Sequence, residues 1–519
     1  MLLIMSAAFI GAELEAEFGK VPPSFLPLGN KRLFQRQLAC GLDNEQVVLS
    51  IPKSYQIGKA DSHFLQSRNV TILRLSEGIT LGESLTQALL MVELKGQEKV
   101  KVLFGDTLID SFPSVSNGLG TALIQDDYGW AKVQDFFIEA SVYDNDGSLN
   151  IFAGSLIFSD KELLLKLLAS SNFNFVKGFK EYFKRVEGVT YPSLGWLDFG
   201  HVNTFYSSRV KFTTQREFND LVITPTQVIK TSQQKEKMIG EANWFKTLPG
   251  ELRIFTPQFL GEISDSARVG YKIEYLYNLP LNELYVFSVL TDKTWKRILE
   301  SCLSFVKKCR AFENDIYFDL TDFLEKKTIS RLKVFLKSNE LSLTDSWSFN
   351  SEKPISIQGI LDEVKNTLPK GDLCSVMHGD FCFSNIIYDF KSTRVKVIDP
   401  RGIDNEKNVT ILGSSFYDLA KVSHSVVGLY DYIISENYKL TIIDNNIDFY
   451  IYTSDEKEAL QSWFLNKIES EFHLSKVENL SMQIHLFLSM LPLHSDDPLR
   501  QKAIFANVFR IYYKLKELL

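Results

Sequence analysis

The chain is 519 residues long, too long for one hydrophobic core, so two to four domains are expected. Hydrophobic residues make up 45% and charged residues 23%, an ordinary globular composition that excludes a disordered chain. The formal net charge is −7 and no Lys/Arg-rich run stands out, so nucleic-acid binding has no support.

The chain opens on an apolar stretch, Met1 to Gly11. A signal peptide needs a basic n-region; here the acidic Glu13, Glu15 and Glu17 follow, and the stretch reads as a buried first strand. No uninterrupted apolar run reaches the ~20 residues of a transmembrane segment. The five cysteines, Cys40, Cys302, Cys309, Cys374 and Cys382, have neither zinc nor redox spacing and read as reduced thiols of a cytoplasmic protein.

Short apolar strands then alternate with helices. Strands are expected over 2–8, 46–52, 70–75, 100–106 and 152–158, with helices over 82–92 and 160–169. The alternation predicts an α/β domain with a largely parallel sheet. Near residues 210–220 the organisation changes, and the stretch 216–219 reads as a linker between domains 1–215 and 216–519. Beyond it come a strand pair over 221–230 turning at Thr224–Thr226, a helix over 233–247 and a strand over 272–277. From about 293 the text is mainly helical, interrupted by one compact β segment at 373–399. The pattern is a small β-rich lobe (about 216–290) before a large helical lobe (about 291–519).

That β segment carries the chemistry. Two strands, NIIYDF and VKVID, flank a turn at KSTR. Folding the hairpin about Ser392 makes Asn385 and Asp399 face each other at its open end, where opposed Cα atoms lie ~4.5–5.5 Å apart. Asp380 precedes Asn385 in the adjoining loop. An amide oxygen and a carboxylate suit Mg²⁺, which takes hard oxygen ligands and bridges nucleotide phosphates. A separate carboxylate is needed to orient an attacking hydroxyl and take its proton. Asp380 is expected in that role, and Asn385 and Asp399 on the metal.

His378-Gly379-Asp380-x4-Asn385 followed by Ile398-Asp399 resembles the Brenner motif and metal-binding Asp of the aminoglycoside phosphotransferase/choline kinase family. The resemblance implies ATP and Mg²⁺ as cofactors and places His378 by the substrate. It implies that Lys230 contacts nucleotide phosphates, held by Glu241 on the following helix. The plainer alternatives are a solvated strand end for Lys230 and an exposed helix face for Glu241. Glu274 and Tyr275 fall where the family has its adenine-binding hinge. Asp418 resembles the Asp that braces the catalytic loop, though helix capping would also place an Asp there. No G-x-G-x-x-G precedes Lys230 and no A-P-E follows Asp399, so the acceptor is expected to be a small hydroxyl compound rather than a protein. Arg401 could hold an anionic group of that substrate or serve in a structural salt bridge.

The first ~210 residues resemble the sugar-nucleotide pyrophosphorylase (nucleotidyltransferase) family, in the order LLIMSAAFIGAE, PPSFLPLGNKRLFQRQL, VLFGD, AGSLIFS and WLDFGHVNTFYSS. Asp106 and Asp198 look like its two metal carboxylates. The phosphate loop departs from the family's Ala-Ala-Gly-x-Gly-x-Arg and later Pro-Lys. Here Ala7-Ala8-Phe9-Ile10-Gly11-Ala12-Glu13 loses a glycine and the Arg, and Pro22-Pro23 loses the Lys. Lys20, Lys31 and Arg32 are the candidate substitute cations.

The expected architecture is therefore α/β: an N-terminal Rossmann-like nucleotidyltransferase domain joined to a C-terminal two-lobed protein-kinase-like (α+β) domain. The expected activity is phosphorylation of a sugar or related alcohol by ATP. The N-terminal domain would either convert the phosphate to a nucleoside-diphosphate precursor for surface polysaccharide, such as capsule, or only bind nucleotide sugar. The sequence is compatible with a homo-oligomer and does not decide it.

Overall fold

Leu2–Met5 forms β1 with every residue buried, as expected of an aliphatic run covered on both faces of a sheet. The computed structural model describes residues 1–41, 45–93, 99–125, 130–136, 148–212, 219–264 and 268–519. The chain divides into two compact units, Met1–Thr213 with Phe287–Val289, and Thr214–Val286 with Leu290–Leu519. Most of the expected linker, 216–218, lies outside the described residues.

In the first unit β1 is followed by α1 (Ala12–Phe18), α2 (Leu33–Gln37), β2 (Val47–Pro52), α3 (Lys59–Ser67), β3 (Thr71–Leu75), α4 (Leu81–Met91), β4 (Val100–Phe104) and β5 (Thr107–Leu108). Then come β6 (Gly118–Ile124), α5 (Val133–Phe136), β7 (Leu149–Phe158), α6 (Lys161–Ser170), α7 (Phe175–Phe183), β8 (Val189–Pro192), β9 (Leu197–Asp198) and α8 (Val202–Arg209). The main sheet has the order β3-β2-β1-β4-β7-β6-β8. Its first four strands are parallel, which accounts for their continuous apolar runs. The sheet is largely parallel, as expected; in the half beyond β4 only β7 runs against the other described strands, antiparallel to both β4 and β6, while β8 is parallel to β6. An aromatic cluster of Phe152, Phe158, Phe175, Phe179 and Tyr182 fills the core beneath that half. A separate ladder, β5 with β9, pairs Thr107 with Asp198.

The second unit opens with β10 (Asn219–Ile223), β11 (Gln227–Ser232), α9 (Lys235–Thr247), β12 (Phe259–Ser264) and β13 (Val269–Glu274). The antiparallel sheet β10-β11-β13-β12 carries α9, whose Trp244 and Phe245 are buried. The helical lobe runs α10 (Leu281–Phe287), α11 (Asp292–Arg310), β14 (Glu313–Asp319), α12 (Leu320–Asn339), β15 (Ser346–Phe349), β16 (Ile355–Ser356), α13 (Ile357–Val364) and β17 (Gly371–Val376). After them come β18 (Ile386–Asp389), β19 (Arg394–Val397), β20 (Leu412–Gly413), α14 (Ser415–Val426), α15 (Tyr430–Ile434), β21 (Tyr438–Ile443) and β22 (Asn446–Ile451). Helices α16 (Asp455–Phe472), α17 (Lys476–Met490) and α18 (Pro498–Lys516) complete it.

This lobe holds more strand than the single segment expected. β14 and β20 flank β17, and β16-β15-β22-β21 make a further sheet. The signal for β22 is a strict exposed–buried alternation over Asn446–Ile451, the period of a strand covered on one face. All five cysteines are buried and free. Among the described residues no helix is long and apolar enough to cross a membrane.

Candidate active site

Strand pairing places Lys230 opposite Tyr271, so two side chains distant in sequence share one face of the small sheet. Lys230 is buried, and its Nζ lies 2.7 Å from Glu241 Oε2 on α9 and 3.1 Å from Asp399 Oδ1. The Tyr271 hydroxyl donates to Glu241 Oε2 at 2.8 Å and to Asp399 Oδ1 at 3.5 Å, tying the two carboxylates together. Burial works against the Lys230 charge, but Asp399 and Glu241 more than offset it and hold its pKa above the ordinary value. Burial raises the Glu241 pKa against the pull of Lys230. Neither bland expectation holds: Lys230 is not a solvated strand end and Glu241 is not on an exposed face.

The hairpin forms, shifted by one residue from the expected register. Ile386 pairs with Val397 and Asp389 with Arg394, so Asn385 lies across from Ile398, whose N–H donates to the Asn385 carbonyl at 3.0 Å. The connecting turn sets this register: Asp389 and Arg394 close a four-residue loop in which Asp389 Oδ1 accepts the Lys391 N–H at 2.9 Å and Thr393 is left-handed, φ 52°. Asp399 adopts a left-handed backbone, φ 54°, just past the end of β19. The Asn385 amide donates to Asp380 O at 2.9 Å and to Asp380 Oδ2 at 3.0 Å. Lys421 on α14 pairs with the other oxygen, Oδ1, at 2.8 Å. The Asp380 side chain nevertheless stays 39% exposed and that of Asp399 44%, which leaves both accessible to ligands.

The loop itself is held from below. Asp418 is buried, and its two oxygens accept the N–H groups of His378 at 2.7 Å and Gly379 at 2.8 Å. It is therefore the brace that the resemblance implied. Burial pushes its pKa up to about 7 against those two hydrogen bonds. Gly379 has φ 76°, and a Cβ there would stand 2.6 Å from Arg401 Cβ, so the glycine is required twice over. His378 is wholly buried: Nε2 donates to Ile398 O at 2.9 Å, which leaves Nδ1 to accept the Asp380 N–H at 3.3 Å. Burial lowers its pKa to about 4, so it is neutral. Its surroundings give His378 a bracing position instead of the expected substrate contact. Arg401 donates through Nη2 to Asn405 Oδ1 at 2.6 Å and its guanidinium lies 5.3 Å from the Phe323 ring.

Glu274 and Tyr275 sit at the end of β13. The Glu274 side chain is exposed and accepts from Gln258 N at 3.1 Å, and Tyr275 N donates to Thr226 O at 3.1 Å. Tyr271, Lys421 and the Trp244 indole, which donates to Met377 O at 2.7 Å, were not legible as site residues. Lys421 had a signal: it falls one helical turn after Asp418, on the same face of α14.

In the first unit the β5·β9 ladder brings Asp106 and Asp198 together, with Phe199 N donating to Asp106 O at 2.8 Å. Burial and the neighbouring Asp198 charge push the Asp106 pKa up to about 6. Asp198 Oδ2 accepts from His201 Nδ1 at 2.9 Å and from the Thr204 hydroxyl. The His201 pKa is raised by that hydrogen bond, and by the charges of Asp106 and Glu13. Ser24 seats the Pro22-Pro23 segment by donating through its hydroxyl to Gly105 O at 3.2 Å and through its N–H to Ser6 Oγ at 3.0 Å.

The three candidate cations are placed differently from one another. Arg32 is buried in an ion pair with Asp61 at 3.0 Å. Lys20 lies over the Phe9 ring at 4.4 Å. Lys31 lines a cavity of about 500 Å³ with Arg36, Leu108, Asp110, Leu197 and Lys211. Leu108 and Leu197 are paired in the β5·β9 ladder, so this cavity lies on the ladder face opposite Asp198. Among the described residues no group of three or more His, Cys, Asp or Glu side chains forms a metal cluster.

No family model matches the chain. No curated protein matches it either. Among solved structures, it is similar to HddC from Yersinia pseudotuberculosis, at 16% identity, over 41% of this chain and 99% of that one, with a TM-score of 0.29. It is similar to the inositol-1-phosphate CTP transferase from T. maritima at 16% identity, over 41% of this chain and 95% of that one, with a TM-score of 0.31. It is also similar to a thermostable mutant of aminoglycoside phosphotransferase APH(4)-Ia in ternary complex with AMP-PNP and hygromycin B. That match has 12% identity, covers 58% of this chain and 92% of that one, and has a TM-score of 0.37. The first two cover the N-terminal part and the third the C-terminal part.

Proposed function

We propose that the second unit transfers the γ-phosphoryl group of ATP to a hydroxyl of a sugar or related small alcohol. The observation that carries this is the Lys230–Glu241–Asp399 cluster: a buried lysine held by one carboxylate while a second, half-exposed one stands 3.1 Å away. Lys230 is thus aimed where nucleotide phosphates and their metal would meet.

Asp399 and Asn385 would hold Mg²⁺. The donor set fits: both present oxygen ligands, and the Asn385 amide nitrogen is turned to Asp380, so its oxygen faces the other way. When bound, the metal would neutralise charge on the phosphate oxygens. Asp380 orients the acceptor hydroxyl and takes its proton. The hydroxyl oxygen bonds to the γ-phosphorus, the bond to the bridging oxygen breaks, and the electron pair leaves with ADP. Lys421 fixes the Asp380 carboxylate by its ion pair, and Asp418 fixes the loop that carries it.

For the first unit the Asp106/Asp198 pair supports a metal-dependent nucleotidyltransferase site, and two adjacent carboxylates with mutually repelling charge suit a divalent cation. The loss of loop glycine and cations supports the second reading, a nucleotide- or nucleotide-sugar-binding domain without turnover. With turnover, the two units would make successive steps towards a nucleoside-diphosphate sugar for surface polysaccharide in the cytoplasm. A screen of ATP consumption over sugars, polyols, choline and amino alcohols tests the kinase activity. Turnover on none of them, with Mg²⁺ present, would overturn it.

A further inference from the structure

On α12, Phe323, Lys327 and Arg331 follow at four-residue spacing and share one face. That face meets Tyr417 of α14 and the loop bearing Arg401. Lys327 Nζ donates to the Tyr417 hydroxyl at 2.6 Å and lies 5.0 Å from its ring. Phe323 packs edge-on to Tyr417 at 5.3 Å and carries two cations: Lys327 at 5.6 Å and Arg401 at 5.3 Å from its centroid. Arg331 donates to Ser489 O at 3.2 Å. Lys421, one turn after Tyr417 on α14, is paired with Asp380.

Four cationic side chains thus gather on Tyr417 and Phe323 and on the loop that carries Asp380, and among the described residues only Lys421 of the four has an ion-pair partner. Among the described residues, Lys327, Arg331 and Arg401 make no carboxylate ion pair within 4.0 Å. Asp404 is near enough to Arg401 to be stabilised by its charge, and Asp380 near enough to Arg331 to act on it. The field is positive on balance. Tyr417 reports it: burial would raise the phenol pKa, yet Lys327, Lys421 and Arg401 hold it below the ordinary value. Gathering unpaired cations in a partly buried place is costly unless an anion completes the set.

We infer that the acceptor of the proposed kinase is itself anionic, a hydroxyl compound whose carboxylate or phosphate is bound by Lys327, Arg401 and Arg331 beside Asp380. This rests on the phosphotransferase reading for its site. The cations supply binding and discrimination; the transfer step is the one described above. An Arg fork and a Lys point charge on aromatic walls suit either oxyanion.

The test is calorimetric titration of the full chain, with Mg²⁺ and AMP-PNP present, using probes on one scaffold: glucose, glucosamine, glucuronate and glucose 6-phosphate. At least one anionic probe is expected to bind roughly tenfold or more tightly than glucose, with glucosamine weakest. Glucuronate ahead identifies a carboxylate as the recognised group, and glucose 6-phosphate ahead identifies a phosphate. Lys327→Gln and Arg401→Gln should each reduce that preference several-fold while AMP-PNP affinity is retained, which also shows that the variants are folded. Neutral or amino sugars binding as well as the anions, or a preference unchanged in both variants, overturns the inference. The kinase reading fails separately: anion preference with no ATP consumed on any acceptor would remove the activity and leave the anion site.

Discussion

Lys230 Nζ stands 2.7 Å from Glu241 Oε2, and the two side chains are 7% and 1% exposed. Removing one partner strands the other's charge in the interior, so Lys230→Ala is expected to destabilise the second unit by about 3–5 kcal/mol. Lys230→Met, which keeps the packing, should cost less stability and still weaken ATP binding roughly tenfold or more. Denaturant unfolding together with nucleotide titration separates the two effects. Native affinity in a folded Lys230→Met protein would remove Lys230 from the phosphate site. Asp399→Ala, by contrast, should weaken Mg·ATP far more than metal-free ATP.

Asp418 acts through the loop and not on substrate. Asp418→Asn keeps one acceptor but turns an amide N–H₂ towards a backbone donor, so the His378–Asp380 loop loses one of its two anchors. The expected result is a fall in kcat of roughly tenfold or more, with the KM for ATP little changed. A change confined to the KM for ATP would show that Asp418 does something else.

Acid should loosen the second unit through its buried histidines. Burial holds His424 at about 3 and His485 at about 4, against 6.5 in the unfolded chain. His424 is tied to Lys421 O, and His485 pairs with the Thr328 hydroxyl at 3.0 Å. A depressed histidine pKa means that the unfolded chain binds the proton first. Stability from these groups is complete above about pH 6.5 and is lost as pH falls towards 4, at up to about 1.4 kcal/mol per pH unit for each. Denaturant midpoints measured from pH 7.5 to 5 check this, and His485→Gln should flatten the slope. An unchanged slope in that variant would remove His485 from the effect.

The first unit should be a poor pyrophosphorylase. Glu13, Asp106 and Asp198 all act on His201, whereas Arg32 is committed to Asp61 and Lys31 faces a different cavity. A cation is wanted beside the α-phosphate because charge builds there as pyrophosphate leaves. Incubation with each of the four NTPs and several sugar 1-phosphates should release little pyrophosphate. Release at ordinary enzymatic rates that Asp106→Ala abolishes would show that a substitute cation exists.

The site was legible where local order sets it. Val47–Pro52 and Val100–Phe104 announce themselves as unbroken apolar runs, and His378, Asp380, Asn385 and Asp399 lie within 22 residues of one another. What stayed hidden depends on pairing between distant segments. Tyr271 reaches the site only because β11 and β13 pair Lys230 with it. Lys327 reaches it through the packing of α12 on α14. The hairpin register differs by one because the loop between Asp389 and Arg394 has four residues and is not centred on Ser392. The one reversed strand of the first sheet, β7, was not legible either: an apolar run such as Leu149–Phe158 does not say which way its neighbour runs.

The most direct measurement is single-turnover phosphoryl transfer by Asp380→Asn, on an acceptor found in the ATP-consumption screen. Asp380 meets the hydroxyl and not the nucleotide, so transfer should fall by roughly 10²-fold or more while ATP affinity stays close to that of the unmodified chain. A variant that keeps a near-normal transfer rate would contradict the assignment of Asp380, and with it the proposed site.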